Sequence, residues 1–130
     1  MPSDNHENFI FPPKVVEGIS LINEGHFFKA HEVLEKQWIL ERHSIRKLYQ
    51  GLIQFSVACY HIQRGNANGA LKLLSRAISK LAPFRLQKFP IDIIKLIKNI
   101  EILINRLEQF GNSTTINEYE ITYPKIEFID

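Results

Sequence analysis

One cysteine, one methionine and one tryptophan are all that 130 residues hold of those three types. The lone Cys59 excludes an intramolecular disulfide framework and suits a reducing compartment, the cytoplasm or, for a plastid-encoded chain, the stroma. No stretch of about eighteen consecutive apolar residues is present, so no membrane span is expected. The N-terminal region has no basic segment leading into an apolar one, so no secretory leader is expected either. Phosphate loops, dinucleotide-binding glycine patterns and CxxC pairs are also missing. Apolar residues make up 45% of the chain and charged residues 23%, which argues against overall disorder and for a single globular domain.

A further absence is local. Residues 42–91 contain no acid, yet they carry nine bases: Arg42, Arg46, Lys47, Arg64, Lys72, Arg76, Lys80, Arg85 and Lys88. The flanks are acidic, with a balance of −4 over residues 1–41 and −3 over 92–130, so a net charge of +2 hides a segregation. Two uses are open: neutralisation inside the fold, or a face that attracts anions. The row Lys72, Arg76, Lys80 could serve a nucleic acid. Without interleaved aromatics, a solvated helix face and internal pairing with the acidic flanks are the expected uses, and nucleic acid is not the expected partner. Self-association stays open.

Apolar spacing predicts an all-α fold, a bundle of about five helices built from stacked hairpins. Residues 1–12 read as a flexible start, 13–110 as one helical domain and 111–130 as an extended tail. Pro13 suits a first helical turn, and Val15, Val16, Ile19 and Ile22 follow at helical spacing up to Gly25. A second helix covers about 26–41. Ser44 is a candidate N-cap for a third over roughly 45–64, stopped by Arg64-Gly65. A fourth begins near Asn66 or Asn68, with Ala70, Leu74, Ala77 and Leu81 on its apolar stripe. A fifth opens near Pro90 and ends at Gly111. Tyr119, Ile121 and Tyr123 then alternate with polar residues, as in a strap laid over the bundle. Gly25-x-Phe27-x-x-Ala30 and Gly65-x-Ala67-x-x-Ala70 repeat weakly at an offset of forty residues.

The second helix poses a problem of burial. On a helical wheel with Phe27 at zero, Trp38 lies at about 20°, His31 at about 40° and Glu35 at about 80°. With Phe28 and Ile39 counted as core markers, His31 and Glu35 fall inside the apolar arc and Glu32 on its rim. A buried carboxylate must be paired, protonated or bound to a metal. The third helix is apolar over most of its circumference, and its remaining sector gathers Gln50, Gln54 and His61 beside Gly51 and Ala58. Antiparallel pairing of the two helices would bring His31 and Glu35 towards Gln54 and His61. Three uses compete: a polar network that fixes helix register, a site where His31, Glu35 and His61 hold a divalent metal such as zinc or iron, or a small-ligand pocket. HEVLE is not a zinc-protease HExxH, since Glu35 replaces the second histidine. Asn112-Ser113-Thr114 matches a glycosylation acceptor and means little without a leader.

GHFFKAHEVLEKQW followed by YQGLIQFSVACYHIQRGNANGA resembles the family called domain of unknown function 309, whose pattern is HExxExxW, QGLIQ, then YHxxRGNxxGA. The likeness covers about residues 20–82 and carries His31, Glu32, Glu35 and Trp38; Gln50 to Gln54; then Tyr60, His61, Arg64, Gly65, Asn66, Gly69 and Ala70. It implies a compact helical fold. Some members have been labelled predicted metal-dependent hydrolases, a label resting on the same His and Glu residues. On that expectation His31, Glu35 and His61 hold a metal and Glu32 or Glu35 accepts a proton from its water. Gln50, Gln54, Tyr60, Arg64, Asn66 and Trp38 then line or support the site. The alternative is a non-enzymatic helical interaction module in which the cluster is structural.

Overall fold

The structure is a computed structural model that describes residues 9–110, 116 and 120–129. Five α-helices follow one another: α1 (Pro13–Asn23), α2 (Phe27–Leu40), α3 (Ile45–Gln63), α4 (Ala67–Leu81) and α5 (Ile93–Glu108), with a 3₁₀ turn at Ala82–Phe84 before α5. Helix α3 is central, packed against α2 on one side and α4 on the other; α1 covers α2 and α5 covers α4. The expected all-α hairpin stack is therefore the fold.

The two glycine repeats build the same turn twice. Gly25 and Gly65 have φ of +84° and +77°, the left-handed region where a side chain is strained. Around Gly25, the His26 N–H donates to Leu21 O at 2.9 Å and the Gly25 N–H to Ile22 O at 3.0 Å. Around Gly65, the Asn66 N–H donates to His61 O at 2.8 Å and the Gly65 N–H to Ile62 O at 3.0 Å. Both sets are the paired bonds of a Schellman C-cap. The next helix begins two residues after each glycine, so one local device closes α1 onto α2 and α3 onto α4.

Capping differs from expectation at two other ends. Ser44 stands at the N-cap of α3 but makes no side-chain cap bond. Helix α5 starts at Ile93 instead of Pro90, because the Asp92 carboxylate accepts the Lys95 N–H at 3.0 Å and so satisfies a first-turn donor. The C-terminal residue of α5 is Glu108, and the expected stop at Gly111 lies outside the described residues.

The segment 121–129 is the expected strap. Asn23 at the end of α1 clamps it: the side-chain NH₂ donates to Ile126 O at 2.8 Å, and the Ile126 N–H donates to Asn23 Oδ1 at 2.7 Å. A single antiparallel bridge pairs Ile91 with Phe128, and Lys95 pairs with Glu127. Ile121 and Ile126 are buried under it. Tyr119, Asn112, Ser113, Thr114 and residues 1–8 lie outside the described residues. Phe11 is core, with Phe89 stacked on it at 6.2 Å between ring centroids.

Candidate functional site

Helix α2 is rotated relative to the wheel expectation. Its buried residues are Phe27, Ala30, Val33 and Leu34, whereas Phe28 is 49% and Ile39 65% exposed. The helix must satisfy α1 and α3 together, and both neighbours lie on the Ala30/Val33/Leu34 side. His31 consequently sits on the rim, with its side chain 21% exposed, and Glu35 further out at 47%. The expectation of a buried carboxylate is corrected: Glu35 keeps water and needs no metal to offset its desolvation.

The ring contacts of His31 are local. Its Nδ1 lies 3.1 Å from Phe28 O, where only an N–H can bond, and its Nε2 lies 3.8 Å from Glu35 Oε2. Phe28 packs beside it at 5.2 Å and also meets Tyr60 of α3 at 5.2 Å. Arg64 closes the row, its guanidinium 5.6 Å from the Tyr60 ring centre and its Nη1 donating to the Tyr60 hydroxyl at 3.4 Å. These residues form a half-exposed aromatic and cationic strip across the α2–α3 seam. Glu32 faces solvent and joins none of these contacts.

His61 belongs to the α3–α4 turn instead. Its Nδ1 lies 3.4 Å from the Asn66 side-chain nitrogen, and a ring that accepts there carries its proton on Nε2. Asn66 is the N-cap of α4: its Oδ1 accepts the Gly69 N–H at 2.9 Å. A Cβ on residue 69 would come within 2.5 Å of the Asn66 amide nitrogen, so the glycine makes room for the cap. Gly51 of the QGLIQ segment has a similar use between helices. A Cβ there would meet Leu81 Cγ at 3.0 Å and Lys80 Cβ at 3.1 Å, so the missing side chain lets α4 approach α3.

At the opposite end of the seam, Arg46 lies over the Trp38 ring at 3.8 Å and donates through Nε to Trp38 O at 3.1 Å. Trp38 Nε1 and Gln54 Oε1 are buried without a hydrogen-bond partner, and Gln50 is half-buried. Among the described residues, no three of His, Cys, Asp and Glu converge as a metal ion requires. His31 and Glu35 meet each other, while His61 is joined to Asn66. The expected trio is thus not gathered around one point among the described residues. Reasoning from the sequence also missed Arg46 and Phe28. The first could have been found from its place in the first turn of α3, eight residues after the only tryptophan.

The fold and this seam define a small all-α domain of hairpins joined by glycine-capped turns. Residues 15–73, just under half of the chain, match the family model described as domain of unknown function (DUF309). It is 33% identical over 61 residues to an uncharacterized protein of Aquifex aeolicus (strain VF5), covering 46% of this chain and 18% of that one. It is 42% identical over 53 residues to the uncharacterized protein YpuF of Bacillus subtilis (strain 168), covering 40% of this chain and 30% of the relative. The matched stretch thus spans less than a third of either relative. Among the described residues, no helix is long and apolar enough to cross a membrane.

Proposed function

We propose that this chain is a non-enzymatic helical interaction module whose family motifs build its frame and present the Phe28–Tyr60–Arg64 strip to a partner. One observation carries the reading: the RGNxxGA segment is used up in making a turn. Gly65 takes the left-handed conformation, Asn66 caps α4 and engages His61, and Gly69 leaves space for that cap. HExxExxW is used in a comparable way, with His31 beside Phe28 and Glu35, and Trp38 under Arg46. A metal-dependent hydrolase would need His31, Glu35 and His61 around one ion, with Glu32 or Glu35 taking a proton, and these residues do not fit that arrangement. A chain with one buried thiol suits a reducing compartment, the cytoplasm or stroma.

The test is metal content and melting temperature of protein purified without a histidine tag. Substoichiometric metal, and a melting temperature indifferent to zinc, manganese or iron(II), are expected. Stoichiometric metal that disappears in both His31→Ala and His61→Ala would overturn the reading.

A further inference from the structure

The acid-free block was expected to neutralise its acidic flanks inside the fold, and the row on α4 does not do so among the described residues. Among the described residues the ion pairs are His26–Glu24, His31–Glu35, Lys95–Glu127 and Arg106–Glu120. None uses Lys47, Lys72, Arg76 or Lys80. Lys72 and Arg76 are exposed and Lys80 is half-exposed. Lys72 and Arg76 stand opposite the buried Ala70, Leu74, Ala77 and Leu81 of α4, and Lys80 lies at the edge towards α3. The row continues across the seam: Lys80 lies over Gly51 of α3, and exposed Lys47 is one turn earlier on the same side of that helix.

The rest of the face says which anion it suits. The exposed residues of α4 are Asn68, Lys72, Ser75, Arg76 and Ser79. All are cations or neutral hydrogen-bond donors, with no carboxylate and no large apolar side chain among them. A protein interface of useful affinity is anchored by aromatic or aliphatic side chains in its centre. A helix that binds an anionic membrane also inserts apolar residues beside its bases. Neither anchor exists on this face. Phosphate backbones, by contrast, are held by Lys and Arg together with Ser and Asn donors, and no apolar contact is needed. Successive members of the row rise by about 6 Å along the helix, a spacing that lets each cation meet a different phosphate.

We infer that the outer face of α4, extended by Lys47, binds the phosphate backbone of a nucleic acid without reading its sequence. This face is separate from the Phe28–Tyr60–Arg64 strip, so the inference does not depend on the proposed partner of that strip. The experiment is fluorescence anisotropy of the full chain with a labelled mixed-sequence single-stranded RNA and a labelled DNA duplex. About four phosphate contacts give binding that weakens roughly 100-fold between about 50 and 200 mM salt. The K72E/R76E double variant should bind at least roughly 10-fold more weakly, and K72Q/R76Q should fall between it and the natural chain. Unchanged melting temperatures separate this loss from misfolding, and the glutamine pair serves if the charge reversal destabilises. No anisotropy change with either nucleic acid at the lower salt overturns the inference, as does equal binding by the variants. Competition by polyglutamate as effective as by unlabelled RNA overturns it in favour of an acidic protein. Tighter binding to phosphatidylserine vesicles overturns it in favour of a membrane.

Discussion

Gly69 and Asn66 illustrate how a residue can be required only because of its neighbour. An alanine at position 69 would drive its methyl into the Asn66 amide and spoil the α4 cap, a loss of about 1 kcal/mol. Once Asn66→Ala has removed both the cap and the obstacle, Gly69→Ala should instead stabilise by about 0.5–1 kcal/mol, since alanine is the better helix residue. Urea denaturation of the two singles and the double checks this change of sign; additive losses would contradict it. Gly65→Ala belongs to a different mechanism. It forces a Cβ into the left-handed region and should cost about 1–2 kcal/mol by the same measurement. Tyr49 offers a pH signature. Burial first, and Glu41 second, push its phenol up to about 12. Because the folded chain holds this proton more tightly than the unfolded one, its stabilisation is complete below about pH 10 and lost as pH rises towards 12. Melting temperatures at rising alkaline pH should therefore fall more steeply for the natural chain than for Tyr49→Phe.

At the level of helices, the strap makes the clearest demand. Asn23→Ala removes both bonds that hold the Ile126 backbone and leaves part-buried polar groups unpaired, a loss of about 1–3 kcal/mol. Thermal unfolding would measure it, and Asn23→Asp, which keeps only the acceptor, should lose less than the alanine variant. Helix ends were readable in the sequence where one local residue decides them. Pro13, Gly25, Gly65 and Asn66 each act within one turn, and the helices they bound agree with expectation. Asp92 carried a comparable signal, a carboxylate just ahead of an apolar run, but Pro90 took precedence in the reading. The anchor of the strap could not be read at all. Asn23 and Ile126 are separated by 103 residues, and a side chain at a helix end gives no hint of so remote a partner. The face of α2 failed for another reason: the wheel counts apolar residues equally, while packing between two helices selects an arc and leaves Phe28 and Ile39 in water.

Across the whole molecule, charge and packing divide the labour. The core runs through every helix and beneath the strap, whereas Lys47, Lys72, Arg76 and Lys80 of the basic block enter none of the ion pairs among the described residues. The segregation visible in the sequence was real, but its destination depended on which residues face each other in space. The candidate metal trio depended on spatial convergence in the same way, and among the described residues no three such groups gather around one point. The clamp at Asn23 has a last consequence. Helices α1 to α4 are held by contacts between sequence neighbours, so they can persist while the strap lifts. Lifting uncovers Ile121 and Ile126 together with the apolar surface they shield. Such an opening would bare apolar surface without melting a helix, and an intact circular dichroism spectrum would not report it.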